Sequence, residues 1–127
     1  MPYEYRIEPQ DSILWIELSD PTNPAEIVEG IQRLCTDPAL YTGLQVLSDL
    51  RNLDFVATPE LAKTLPTLFI MLGEKIGPFR AAVVAPNEAT FGMVRMTEML
   101  SDDNPADVRP FWSLEEARAW LSGDAEE

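Results

Sequence analysis

Arg80-Ala81-Ala82-Val83-Val84-Ala85, with Pro86-Asn87 behind it and Thr90 to Leu100 beyond, decides how this chain is read. The six residues are short and almost wholly apolar, which is the pattern of a buried strand. Pro86-Asn87 turns the chain. Met93, Met96 and Leu100 then share one face of a helix over Thr90–Leu100. A buried strand, a tight turn and an amphipathic helix form the repeating half of an α/β fold.

The same alternation extends in both directions. Toward the C-terminus, Ser101-Asp102-Asp103-Asn104-Pro105 reads as an acidic loop and Val108–Trp112 as a last short strand. Ser113-Leu114-Glu115-Glu116 is a capping box opening a helix with Ala117, Trp120 and Leu121 inward, and Gly123 ends it. Toward the N-terminus, Thr58-Pro59-Glu60 starts a helix with the stripe Leu61, Leu65, Leu68, Leu72. Pro66 lies inside that stripe, so a kink or a split is expected near Thr64–Pro66. Leu44–Leu47 is a buried strand ending at Ser48-Asp49. Asn23-Pro24 caps a helix carrying Ile27, Ile31 and Leu34, which Asp37-Pro38 stops. Ile13–Leu18 and the alternating Tyr3, Tyr5, Ile7 form an N-terminal hairpin about Gln10-Asp11-Ser12. The order is ββαβαβαβα, an α/β fold whose mixed, mostly parallel sheet is flanked by helices, in one domain over 1–127.

Composition removes several functions. The 127 residues carry 9 basic and 22 acidic side chains, a net charge of −13, and no histidine. Phosphate binding depends on Lys and Arg, so nucleic acid is excluded, and membrane association is expected to be transient at most. Without histidine the commonest acid–base group and the commonest metal ligand are missing, and no Ser-His-Asp set can form. Cys35 is the single cysteine. It cannot form an internal disulfide or a cysteine zinc site and fits a reducing cytoplasm. No signal peptide or membrane span is expected from the N-terminus or the apolar runs.

Several stretches together resemble the SpoIIAA-like group of the STAS superfamily, named after the bacterial anti-anti-sigma factor. They are Val46-Leu47-Ser48-Asp49-Leu50-Arg51, Arg80-Ala81-Ala82-Val83-Val84-Ala85, Phe91-Gly92-Met93-Val94-Arg95, and the closing Phe111 to Leu121. The resemblance covers nearly the whole chain and implies a mixed sheet flanked by helices. The group is similar in shape to the CRAL-TRIO lipid-exchange domain, and lipid or membrane association has been proposed for it. The anti-anti-sigma branch carries a phosphorylatable serine at the start of its second helix. Here that stretch reads Val56-Ala57-Thr58-Pro59-Glu60, which lacks the Asp-Ser-Ser-Gly type motif.

Thr58 is the phosphorylation candidate of this stretch, and a plain helix cap is the preferred reading. Leu68-Phe69-Ile70-Met71-Leu72 cannot all face one sheet, because each helical residue turns about 100°. The run is a ligand lid, a dimer face, or a helix held between neighbours. Met71, Met93, Met96 and Met99 are a soft apolar lining or core filler. Asp49, Arg51 and Asn52 follow a parallel strand, where open α/β sheets place ligands. The preferred reading there is a turn with a surface ion pair. Asp102, Asp103, Asn104 and Asp107 lack calcium-loop spacing, since neither a glycine at the sixth position nor a glutamate at the twelfth is present. No phosphate-binding glycine loop exists, so no cofactor and no metal are expected.

The sequence therefore leads to a non-enzymatic domain. Its first function is binding an apolar or lipid-like small molecule lined by Phe69, Leu72, Phe91 and Met93. The alternative is a protein-interaction module in a regulatory circuit, contacting its partner around Thr58, Asp54 and Glu60. A homodimer through Leu68–Leu72 is compatible with either.

Overall fold

The structure is a computed structural model, described here for residues 3–19, 24–52, 59–99 and 106–123. Strands β1 (Tyr3–Glu8) and β2 (Ile13–Ser19) are followed by α1 (Pro24–Leu34), β3 (Gln45–Asn52), α2 (Pro59–Ile76), β4 (Phe79–Val84), α3 (Glu88–Met99), β5 (Ala106–Phe111) and α4 (Leu114–Ser122). The five strands form one mixed sheet in the order β1-β2-β3-β4-β5. Only the β1–β2 pair is antiparallel; β2 to β5 run parallel.

The parallel strands advance in one direction across the sheet. Crossovers of a single hand then put their helices on a single face. Period-two alternation along the strands shows the result. Leu14, Ile16, Val46, Leu50, Ala81, Val83 and Val108 pack with Ile27 and Leu34 of α1, Leu72 and Ile76 of α2, and Val94 of α3. The intervening Ile13, Trp15, Leu47, Ala82 and Val84 pack with Ala117, Trp120 and Leu121 of α4. Three helices cover one face and one covers the other.

The fourth helix is the element most completely written in its own residues. Ser113 is the N-cap, with extended backbone, and its hydroxyl accepts from the Glu116 N–H at 3.1 Å. Gly123 closes the helix in the left-handed region at φ 85°, its N–H reaching the Ala119 and Trp120 carbonyls. No basic residue stands in the last turn. Neighbouring strands supply the donors: Arg80 Nη1 donates to the Trp120 carbonyl at 2.8 Å, and Gln45 Nε2 to that of Leu121 at 2.6 Å. Both add donors to carbonyls at the negative end of the helix.

Several boundaries differ from expectation. Helix α3 starts at Glu88 instead of Thr90, because Asn87 is its cap: Asn87 Oδ1 accepts from the Thr90 N–H at 2.9 Å. Strand β3 does not stop at Leu47. Asp49 still pairs with Glu17 of β2 and Val84 of β4, and its polar side chain is satisfied within the strand. Strand β5 begins at Ala106, which pairs with Phe79, and ends at Phe111, where β4 ends. Trp112 therefore leaves the ladder. Helix α2 runs through Pro66 as one element, so the proline does not split it.

Candidate functional site

A gap in a parallel sheet opens where the connections leaving two neighbouring strands go to opposite faces. Here that happens once in the parallel run. The chain leaves β4 for α3 on the three-helix face and leaves β5 for α4 on the other. The Ala85 N–H donates to the Phe111 carbonyl at 2.9 Å, which ties the two strand ends together beneath the gap.

Phe91 and Trp112 stand at this position. Phe91 lies in the first turns of α3, and Trp112 lies between β5 and α4. Their rings are stacked, with centroids 4.4 Å apart and planes within 5°. Trp112 remains 51% exposed, the most exposed large apolar residue described. Glu88 is exposed one turn before Phe91, and Glu115 and Glu116 are exposed in the first turn of α4. Thr90, only 1% exposed, lies in the first turn of α3, and its hydroxyl has no hydrogen-bond partner among the described residues. Nothing in the sequence reading singled out Trp112. The available signal was its place directly before a helix cap, where an apolar residue normally staples onto the residue five positions on. That residue is Ala117, which is fully buried on the inner side of α4, and Trp112 lies on Phe91 instead.

The four residues expected to line one apolar pocket divide into two groups. Leu72 is in the three-helix core, and Phe69 and Met93 are partly buried against it. Phe69 also meets Phe79 edge-on, with centroids 6.2 Å apart. Phe91 points away from them. Residues two positions apart on a helix differ by about 200°, so Met93 and Phe91 occupy opposite flanks of α3. The apolar run resolves the same way: Leu68 and Leu72 are buried, Phe69 and Met71 lie on the flanks, and Ile70 alone is exposed, at 46%. Packing of α2 against both α1 and α3 accounts for most of it. The side chains of Met96 and Met99 and residues Thr58, Asp54, Asp102, Asp103 and Asn104 lie outside the described ones.

Asp49 and Arg51 do not form a surface pair. Asp49 is 3% exposed. Its Oδ1 accepts from Arg51 Nε at 2.9 Å and from the Arg51 backbone N–H at 3.1 Å, and its Oδ2 accepts from Nη2 at 2.9 Å. The cause is a β-bulge. Glu17 is opposite Asp49 but Ser19 is opposite Asn52, so β3 carries one extra residue here. The bulge takes an N–H out of the ladder, and the Asp49 carboxylate accepts it. Burial alone would raise the Asp49 pKa; the Arg51 guanidinium and N–H outweigh it and hold the carboxyl below its ordinary value. At the other end of the sheet, burial acts the same way on Glu8, and Arg118 and Arg6 overcome it. Cys35 is buried, which pushes its thiol up; Lys75 opposes and Glu74 adds to the shift. Asp107 is exposed on β5 and pairs with Arg109 at 3.7 Å.

Two tryptophans on the α4 face each meet two arginines. Arg6 and Arg118 lie over Trp15, 4.6 and 5.1 Å from the ring centre. Arg80 and Arg109 lie over Trp120, each at 5.2 Å. A half-open groove of about 280 Å³ runs between the β1–β2 turn and the end of α4, lined by Asp11, Ile13, Arg118, Ala119, Leu121 and Ser122. No three His, Cys, Asp or Glu side chains among the described residues are placed to share a metal ion. No helix among the described residues is long and apolar enough to cross a membrane. Comparisons with protein-family profiles, with curated protein sequences and with solved structures give no match.

Proposed function

We propose that the chain is a SpoIIAA-like, STAS-type domain that acts by binding, and that its contact site is the gap between β4 and β5 built around Phe91 and Trp112. The observation that carries this reading is the stacked pair itself. An indole half open to solvent at a sheet's carboxyl end is a contact residue in search of a partner, because exposed tryptophan supplies more interface energy than most side chains. The SpoIIAA-like assignment draws on the resemblance of Val46–Arg51, Arg80–Ala85 and Phe111–Leu121, together with strands and helices in the order ββαβαβαβα. Binding in place of catalysis is favoured by two arginine-paired carboxylates, one buried and one partly exposed. Asp49 and Glu8 are held low by arginines, whereas an acid–base carboxyl at neutral pH needs to be raised. Photocrosslinking tests the reading. A benzoylphenylalanine in place of Trp112 is expected to give a discrete adduct in cells. The same probe in place of Tyr41, exposed and remote in sequence, should not. Equal adducts at both positions, or none at 112, would sink it.

A second reading, an apolar small molecule at the seam of α2 and α3, draws on Phe69, Met71 and Met93, which cover the core only partly. Native mass spectrometry of gently purified protein should then show extra mass that denaturation removes and that Phe69→Asp abolishes. Retention by that variant would count against it.

A further inference from the structure

We infer that the β4–β5 gap receives a cationic segment of a partner protein, with an arginine or lysine side chain lying on the open face of Trp112. The inference rests on the gap being the contact site and specifies what fills it.

The first argument is the chemistry of the ring. One face of Trp112 is covered by Phe91 at 4.4 Å, and the residue is 51% exposed. The negative face of an indole is the best side-chain acceptor for a guanidinium or ammonium group. The protein already uses this contact twice. Trp15 and Trp120 each carry two arginines at 4.6 to 5.2 Å. No such contact is made to Trp112 among the described residues.

The second argument is the local charge. Helix N-termini at a sheet's carboxyl end normally favour an anion. Here both helix starts are capped by side chains, Asn87 for α3 and Ser113 for α4. Each helix contributes roughly half a positive charge. Glu88, Glu115 and Glu116, all exposed in the first turns, contribute three full negative charges, against one positive charge from Arg95, exposed one turn after Phe91 on α3. The acids prevail, so the gap attracts a cation and repels a phosphate. A second copy of the chain would bring the same three acids face to face and carries the same net charge of −13. That charge also steers a basic partner toward this protein over the Debye length.

The test uses the intact 15N-labelled protein and the probe acetyl-Gly-Arg-Gly-Arg-Gly-amide, with its citrulline counterpart as the uncharged isostere. The chain has three tryptophans, hence three indole N–H signals, and Trp112→Leu identifies the one that matters. Saturable movement of the Trp112 signal by the arginine peptide is expected, with Trp15 and Trp120 still. The citrulline peptide should bind about two- to fivefold more weakly, as loss of an exposed cation–π contact implies. Combined E88Q, E115Q and E116Q should weaken binding severalfold at low salt, and less at high salt. Movement of no indole signal, or of all three alike, overturns the inference. So does a Trp112 shift that depends on protein concentration without peptide, which would assign the face to a second copy. Equal binding of the citrulline peptide overturns only the cationic occupant. Failure of the crosslink at position 112 reports separately on the gap as a contact site.

Discussion

Asp49 shows how one residue can be hydrophilic by type and structural in effect. Its carboxylate accepts three hydrogen bonds from Arg51 at a bulge and is almost wholly buried. Hydrogen bonds to charged groups are worth more than neutral ones, and an orphaned buried donor adds to the loss. Asp49→Ala is expected to destabilise the domain by about 2 kcal/mol, read by urea denaturation. Arg51 is half exposed, so the loss stays below that of a fully buried pair. The sign of the pH effect follows from the depressed pKa values of Asp49 and Glu8. The unfolded chain binds protons at a higher pH than the folded one, near about 4. Both contributions are therefore complete above that value and fade as pH falls through the folded values. Asp49→Asn should flatten the acid limb of a stability–pH curve. An unchanged limb would show that other carboxylates dominate it.

At the scale of elements, α4 and α2 make opposite predictions. Ser113 caps α4 with good geometry, so Ser113→Ala should cost about 1 kcal/mol. Gly123→Ala should cost about 1 kcal/mol as well, because φ is 85° and a Cβ is strained there even though no atom lies in its way. Pro66 sits inside α2 and removes a helix hydrogen bond. Pro66→Ala should therefore raise the melting temperature. A fall would mean that α2 has adapted to the proline through packing worth more than the restored bond. These elements also show what was readable. The span Ser113 to Gly123 needs only its own residues: a hydroxyl cap, an acidic first turn, inward Ala117, Trp120 and Leu121, and a terminal glycine. Strand β3 was less readable, because Ser48-Asp49 ends a strand by local preference. It continues only because β2 and β4 supply ladder partners on both sides. Nor could α3 be started correctly without seeing that Asn87 caps it, since Pro86-Asn87 is also a good turn.

For the whole molecule, the net charge of −13 is the leading long-range term. Self-repulsion opposes the compact state, and the described exposed pairs, such as Arg33 with Glu29 at 4.0 Å, contribute little. Sodium chloride at a few hundred millimolar should raise the melting temperature at neutral pH. A fall would mean that specific ion pairs, Arg118 with Glu8 at 3.3 Å among them, outweigh the repulsion.

The sequence by itself determined the α/β class, the amphipathic stripes, the strongly acidic balance and the absence of any histidine-dependent chemistry. These follow from local periodicity and from residue counts, which need no knowledge of neighbours. The tertiary structure alone decided the placement of three helices on one face and one on the other. It also decided the burial of Asp49 and the separation of Phe91 from Phe69, Leu72 and Met93. The meeting of Phe91 with Trp112 belongs with these. A stripe tells which side of a helix is apolar and nothing of what it meets. That is fixed by the strand order and by the face each connection takes, and at the end of β5 that face changes.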